Sequence, residues 1–305
     1  MVRKAPENGG HRAWRLGKAM KNPIVVGVVD TNASRAALAW AMDRAARRKL
    51  PVLLVHSIDT RWLDDSFASS EVVRTAGTEL LSKTAAYAGE LEPSVEVQTL
   101  LFPGSPGYAL RKRSKGASMV VIGTGHNWPG GPVADRALQI AAVALCPVAV
   151  VGEQNMTGRH GVVVGADGSE ESTQAVSFAA AEADLNGQEL TVVHSVLAPP
   201  HLQRAMPAGN FDETVLEQER IILAETVAGL AENYPDLVVH QVLVSHNEPA
   251  EALANAATNA TLLVLGSRGR GSFKRLLLGS TAHTVLRSLP CPTIITRVRR
   301  VKLTA

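Results

Sequence analysis

The sequence predicts an α/β protein built from two repeated, open, five-stranded parallel-sheet domains, doubly wound and Rossmann-like. Three observations carry this. Short continuous runs of Val, Ile and Leu recur along the 305 residues, the pattern of strands buried on both faces. Helical patterns separate these runs, which implies β-α-β units with right-handed crossovers. The chain also repeats itself. Ile24-Val-Val-Gly-Val-Val-Asp30 reads like Gly161-Val-Val-Val-Gly-Ala-Asp167 at an offset of 137. Leu53-Leu-Val-His56-Ser57 matches Thr191-Val-Val-His194-Ser195 at an offset of 138. Met119-Val-Val-Ile-Gly123 matches Leu262-Leu-Val-Leu-Gly266 at 143, and Cys146-Pro147-Val-Ala-Val-Val matches Cys291-Pro292-Thr-Ile-Ile-Thr at 145. Four anchors in one order imply two copies of a unit of about 140 residues.

Each copy opens with a strand and a helix. Asn32 and Ser169 are the expected N-caps, ahead of good helix formers over 36–46 and 173–183. Second helices are expected over 71–91 and 212–234, the latter with Leu216, Leu223, Val227 and Leu230 near helical spacing. Third helices, over 106–115 and 249–259, open with Pro, which suits a first turn. Fourth helices, over 133–145 and 280–289, end before each Cys-Pro pair. The last strands, 148–151 and 293–296, are candidate edges, and an exposed edge needs covering. The expected division is a basic flexible tail at 1–22, a first domain at 23–153 and a second at 161–300.

Composition excludes several classes. Hydrophobic residues are 46% and charged residues 19%, too apolar for a disordered chain. Two cysteines cannot build a disulfide scaffold, and they fit a reduced, cytoplasmic setting as buried, inert thiols. The apolar stretch around 137–152 is short for a membrane span and holds Gln139 and Pro147. No apolar segment follows the N-terminal basic residues, so a secretory signal is not expected. The net charge is +3, yet residues 1–22 hold six basic residues against Glu7 and account for +5 alone. The folded part is therefore slightly acidic, which argues against nucleic acid as a partner. His56 and His194, one at each second strand end, read as structural residues and not as metal ligands.

In open parallel sheets, ligands bind beyond the carboxyl ends of the strands. The informative segment there is Gly266-Ser-Arg-Gly-Arg-Gly-Ser-Phe-Lys-Arg-Leu-Leu-Leu-Gly279-Ser280-Thr281. It runs from a strand to a helix start, where unpaired N–H groups and the helix dipole favour an anion. Its glycines let the backbone approach phosphate oxygens. Ser280 and Thr281 add hydroxyls, and Arg268, Arg270, Lys274 and Arg275 add charge, though the last three also suit a solvated face. Ser272-Phe273 stands where a Walker A motif needs Lys-Ser/Thr, and the Gly-x-Gly-x-x-Gly fingerprint is missing. What the loop does match is Gly-x2-Gly-x9-Gly-Ser, through Gly266, Gly269, Gly279 and Ser280.

With that loop, a first-strand Asp and a Cys-Pro pair opening the last strand, the sequence resembles the universal stress protein family in its tandem-domain form, over roughly residues 23–300. The resemblance implies an ATP-binding domain, with Mg2+ as the accompanying ion. It implies that Asp167, with Gly165 in the same strand, lies near the nucleotide. Ser195 would contact adenine through its backbone, and Leu265, Gly266, Gly269, Gly279, Ser280 and Thr281 would enclose ribose and phosphates. Arg268 joins this set on charge alone. The resemblance also implies that the last strands pair between the domains, with homodimerisation left open.

Copy one departs from this pattern. It keeps Asp30, His56 and Ser57, but counting from Gly123 puts His126 where Gly269 stands. Counting back from Cys146 puts Ala134 and Asp135 where Gly279 and Ser280 stand. A carboxylate at a phosphate position would repel by about 4 kcal/mol at ~4 Å and surface-like dielectric, so copy one is expected to bind ATP poorly. The expected function is a regulatory stress-response module governed by ATP occupancy. A slow ATPase and a ligand-free interaction module are the alternatives. Catalysis would need a positioned base and a charge clamp, and no acid–base pair stands out.

Overall fold

The computed structural model describes residues 20–58, 67–125, 132–196, 213–270 and 278–297. The first half runs β1 (Ile24–Gly27), α1 (Asn32–Arg48), β2 (Val52–Ile58), α2 (Phe67–Leu91), β3 (Val97–Pro103), α3 (Pro106–Ser114), β4 (Met119–Gly123), α4 (Pro132–Val143) and β5 (Val148–Val151). The second half runs β6 (Val162–Ala166), α5 (Glu170–Leu185), β7 (Leu190–Ser195), α6 (Glu213–Val227), α7 (Leu230–Asn233), β8 (Val239–Val244), α8 (Pro249–Ala256), β9 (Leu262–Gly266), α9 (Ser280–Ser288) and β10 (Thr293–Thr296).

The strands form one ten-stranded sheet, ordered β3-β2-β1-β4-β5-β10-β9-β6-β7-β8. Each half is the predicted doubly wound, all-parallel unit. The halves join where β5 and β10 pair antiparallel, Ala149 opposite Ile294. Side chains alternate across the sheet, so consecutive residues of one strand enter different layers. Val26 and Val164 lie in the layer with Ala37 of α1 and Ala175 of α5. Val25 and Val163 lie in the other, with Ala109 of α3 and Leu253 of α8. Both layers run through both halves, which is why every central strand reads as a continuous apolar run. Cys146 and Cys291 are buried and form no disulfide among the described residues.

Local structure corrects three expectations. Thr31, not Asn32, caps α1, its hydroxyl oxygen accepting the Ser34 N–H at 3.2 Å. Ser169 caps α5 in the same way, with Ser172 as donor. The helix expected over 212–234 divides into α6 and α7 because Gly229 takes φ +81° between them. The match of Asp30 with Asp167 is also off by one. The Val29 N–H donates to Ser34 Oγ as the Asp167 N–H donates to Ser172 Oγ. His56 donates to the Val28 carbonyl as His194 donates to that of Ala166. All these pairs share the 138-residue offset of the two histidines, so Val29 stands where Asp167 does. Asp30 turns outward to Arg35, at 2.8 Å. The expected tail up to residue 19, His126, and the loop residues Lys274 and Arg275 lie outside the described residues, as does the Asp135 side chain.

Candidate functional site

A cavity of about 490 Å³ opens at the carboxyl ends of β6 and β9. This is the switch point of the second half, because the chain leaves β6 towards β7 and later returns to its other side as β9. The lining includes all ten residues singled out from the sequence: Gly165, Asp167, Ser195, Leu265, Gly266, Arg268, Gly269, Gly279, Ser280 and Thr281. They come from four separate segments. Sequence reasoning missed the apolar contributors Val193, Pro249, Leu253 and Ala282, and it left Arg270 open between the loop's charge and a solvated face; Arg270 lines the cavity. The lining is mixed: Val193, Leu253 and Leu265 contribute apolar side chains, and Asp167, Arg268, Arg270, Ser280 and Thr281 contribute polar ones.

Asp167 holds the glycine loop down. Its carboxylate accepts the Arg270 backbone N–H at 2.8 Å, the Ser169 N–H at 3.0 Å and the Ser169 hydroxyl at 2.6 Å. Burial alone would push this carboxyl up, but the hydrogen bonds from Ser169, Arg270 and Ser172 outweigh it and hold it below its ordinary value.

Two glycines are required by these close approaches. A Cβ at Gly269 would collide with the Asp167 carboxylate, and one at Gly266 would sit 3.1 Å from the Glu171 carbonyl and the Arg268 oxygen. Gly279 differs. Among the described residues a Cβ there would meet Arg268 Cα at 3.5 Å and the Ser267 oxygen at 3.6 Å, both ordinary contacts, and its φ of −71° suits any residue. No described neighbour therefore requires glycine at 279. Gly279 is the N-cap of α9 and supplies no side-chain cap, so among the described residues the first-turn N–H groups of Ser280, Thr281 and Ala282 have no capping side chain, and these residues line the cavity.

Charge converges on the same end. Arg268 reaches Glu171 at 3.5 Å, yet its Nε is buried without a hydrogen-bond partner among the described residues. Behind the loop, buried His194 uses both ring nitrogens. Nδ1 donates to the Ala166 carbonyl at 2.7 Å, and Nε2 lies 2.7 Å from Glu219 Oε2. The same Glu219 oxygen accepts from Arg270 at 3.3 Å, so α6 steadies the cation at the cavity mouth.

Among the described residues the first half differs from this site. Val29 replaces the carboxylate that ties the loop, and α4 begins at Pro132, two residues before Ala134, the counterpart of Gly279. A cavity of about 910 Å³ lies instead between α1 and α2, lined by Val29, Arg35, His56 and Lys83 among others, with no described residue of β4 or α4 in its wall.

A tandem, doubly wound α/β protein with a cavity at the switch point of its second half is the class that fold and site define. The family profile described as "Universal stress protein family" matches residues 20–152 and again 158–297, and the chain belongs to that family. A universal stress protein of Mycobacterium tuberculosis strain H37Rv is 29% identical over 293 residues, covering 90% of this chain and 96% of that one. One from Mycolicibacterium smegmatis is 32% identical over 290 residues, covering 90% and 97%. The solved universal stress protein from Archaeoglobus fulgidus DSM 4304 superposes with a TM-score of 0.67 at 19% identity over 91% of this chain and 98% of that one, a likeness of fold. Among the described residues no helix is long and apolar enough to cross a membrane.

Proposed function

We propose that the second domain, 161–300, binds ATP and that the protein acts as a regulatory stress-response module in the cytoplasm, with the first domain, 23–153, degenerate as a nucleotide site. The observation that carries this is the start of α9. A helix N-terminus with no side-chain cap among the described residues meets a cavity at a glycine that no described neighbour requires, which is the arrangement an anionic ligand exploits. The mixed lining suits a nucleotide, with base and ribose against Val193, Leu253 and Leu265 and phosphates toward Arg268, Ser280 and Thr281. The buried Arg268 Nε, unpartnered among the described residues, is a donor awaiting such an acceptor. Ser195, which the family resemblance expects to contact adenine, is one of the lining residues.

Mg2+ fits the protein groups less well than the nucleotide does. Asp167 is the one carboxylate among the described lining residues, and three hydrogen bonds already engage it. The ion is expected to arrive on the phosphates and to keep mostly phosphate and water ligands. With Asp167 committed as a tether, the site is built for occupancy rather than rapid turnover. Analysis of small molecules released from denatured, purified protein, followed by calorimetric titration with ATP, tests the reading. Adenine nucleotide at one site per chain is expected. Absence of both released nucleotide and measurable binding would overturn it.

A further inference from the structure

At the junction of the two halves, equivalent positions face each other. Arg44 on α1 and Glu182 on α5 form a buried ion pair, and they stand 138 residues apart, the repeat offset of the first strands and helices. Trp40 and Phe178 share that offset and lie against the Arg44 guanidinium, with ring centroids at 5.4 and 5.9 Å. In the sheet, Ala149 pairs with Ile294, Val148 with Ile295 and Val150 with Thr293. This reciprocal pattern belongs to an isologous contact, in which one position lies on the twofold axis and meets its own counterpart. The pseudo-twofold axis of this chain therefore passes through Ala149–Ile294 on one side and Arg44–Glu182 on the other.

A charged position on such an axis cannot be complementary to itself. Two copies of the first half paired in this way would set Arg44 against Arg44. Two copies of the second half would set Glu182 against Glu182. Glu182 is fully buried and also accepts from Arg48, while Arg47 bonds Asn186, so the α1 face is basic and the α5 side supplies the buried carboxylate. Burying like charges is strongly unfavourable, whereas the opposed pair satisfies both partners.

We propose that Arg44 and Glu182 form a pairing code: they select the second domain as the occupant of the first domain's α1 face and exclude a second copy of the same domain. The sheet edges alone carry no such information, because the backbone of β5 could pair with another β5 as well as with β10. Charge at the axis breaks this symmetry.

Full-length chains test the code. Arg44→Glu alone and Glu182→Arg alone place like charges at the axis, and each is expected to lower the melting temperature by about 5 °C or more. Arg44→Glu/Glu182→Arg restores opposition within one chain and is expected to recover most of the loss. When the two single variants are denatured together and refolded, each axis position finds an opposite charge only on the other chain. Native mass spectrometry should then show 1:1 heterodimers in excess over either homodimer. Where a single variant does not fold alone, the co-refolded pair still reports, since a soluble 1:1 complex is expected only if the code operates. Singles that melt like the parent, a double variant no better than the singles, or co-refolding without heterodimer enrichment would each overturn the proposal.

Discussion

The Asp167 carboxylate accepts the backbone N–H of Arg270 at 2.8 Å, tying the end of β6 to the glycine loop that leaves β9. One side chain thus fixes the loop's start across 103 residues of sequence. Asp167→Asn keeps the shape but loses the charge and one acceptor. The expected cost is about 1–3 kcal/mol of stability, and ATP affinity should fall by at least about tenfold as the loop loosens. Chemical denaturation and calorimetry read the two effects separately.

The same carboxylate predicts a pH dependence. Its folded value is depressed, so its stabilisation is complete above the unfolded value of about 3.9 and is lost as pH falls through the lower folded value. The stability difference between the parent and Asp167→Asn should be flat at neutral pH and shrink below about pH 4. A difference that grows with acidity would contradict the tether.

Gly269 and Gly279 should respond differently to alanine. Gly269→Ala drives a methyl group into the Asp167 carboxylate and should destabilise the protein by about 1–3 kcal/mol. Gly279→Ala meets only ordinary contacts among the described residues and should melt within about 0.5 kcal/mol of the parent while weakening ATP binding. Loss of stability without loss of binding at 279 would remove the main support for the nucleotide reading.

The stoichiometry follows from the unequal halves. Parent protein should bind one ATP per chain, and Gly279→Asp should abolish it by setting a carboxylate at the start of α9. Retention of one bound ATP by that variant would show that the first domain is competent after all.

Cys291 is fully buried, and burial pushes its thiol up to about 12, against a smaller opposing pull from Arg159. Neither it nor Cys146 should react with a thiol reagent in folded protein at pH 8, and both should react after denaturation. Fast labelling of either thiol in the native state would contradict the packing.

Much of the fold and half of the site are legible in the chain alone. The central strands announce themselves because layers cover both faces of the sheet, leaving no polar side chain in runs such as Leu262 to Leu265. The loop glycines and hydroxyls are legible because a tight turn onto a helix start restricts residue choice to a few types. The Asp30 alignment failed because two apolar residues, Val28 and Val29, continue the strand's pattern past its hydrogen-bonded end, so a one-residue shift leaves the pattern intact. Strand pairing, with Gly27 beside Val55 as Gly165 is beside Val193, and the Ser34 and His56 hydrogen bonds set the register. Val193, Pro249 and Leu253 were missed because apolar residues on a strand and a helix look like any other core.

By itself the sequence determined the repeat, the doubly wound topology and the glycine-rich loop, because burial periodicity and turn stereochemistry are local and leave local marks. The tertiary structure decided what meets across distance: Asp167 with the Arg270 backbone, His194 with Glu219, and Arg44 with Glu182. Each joins groups far apart in the chain whose charges look like ordinary surface residues until folding takes them out of water and makes their partners obligatory.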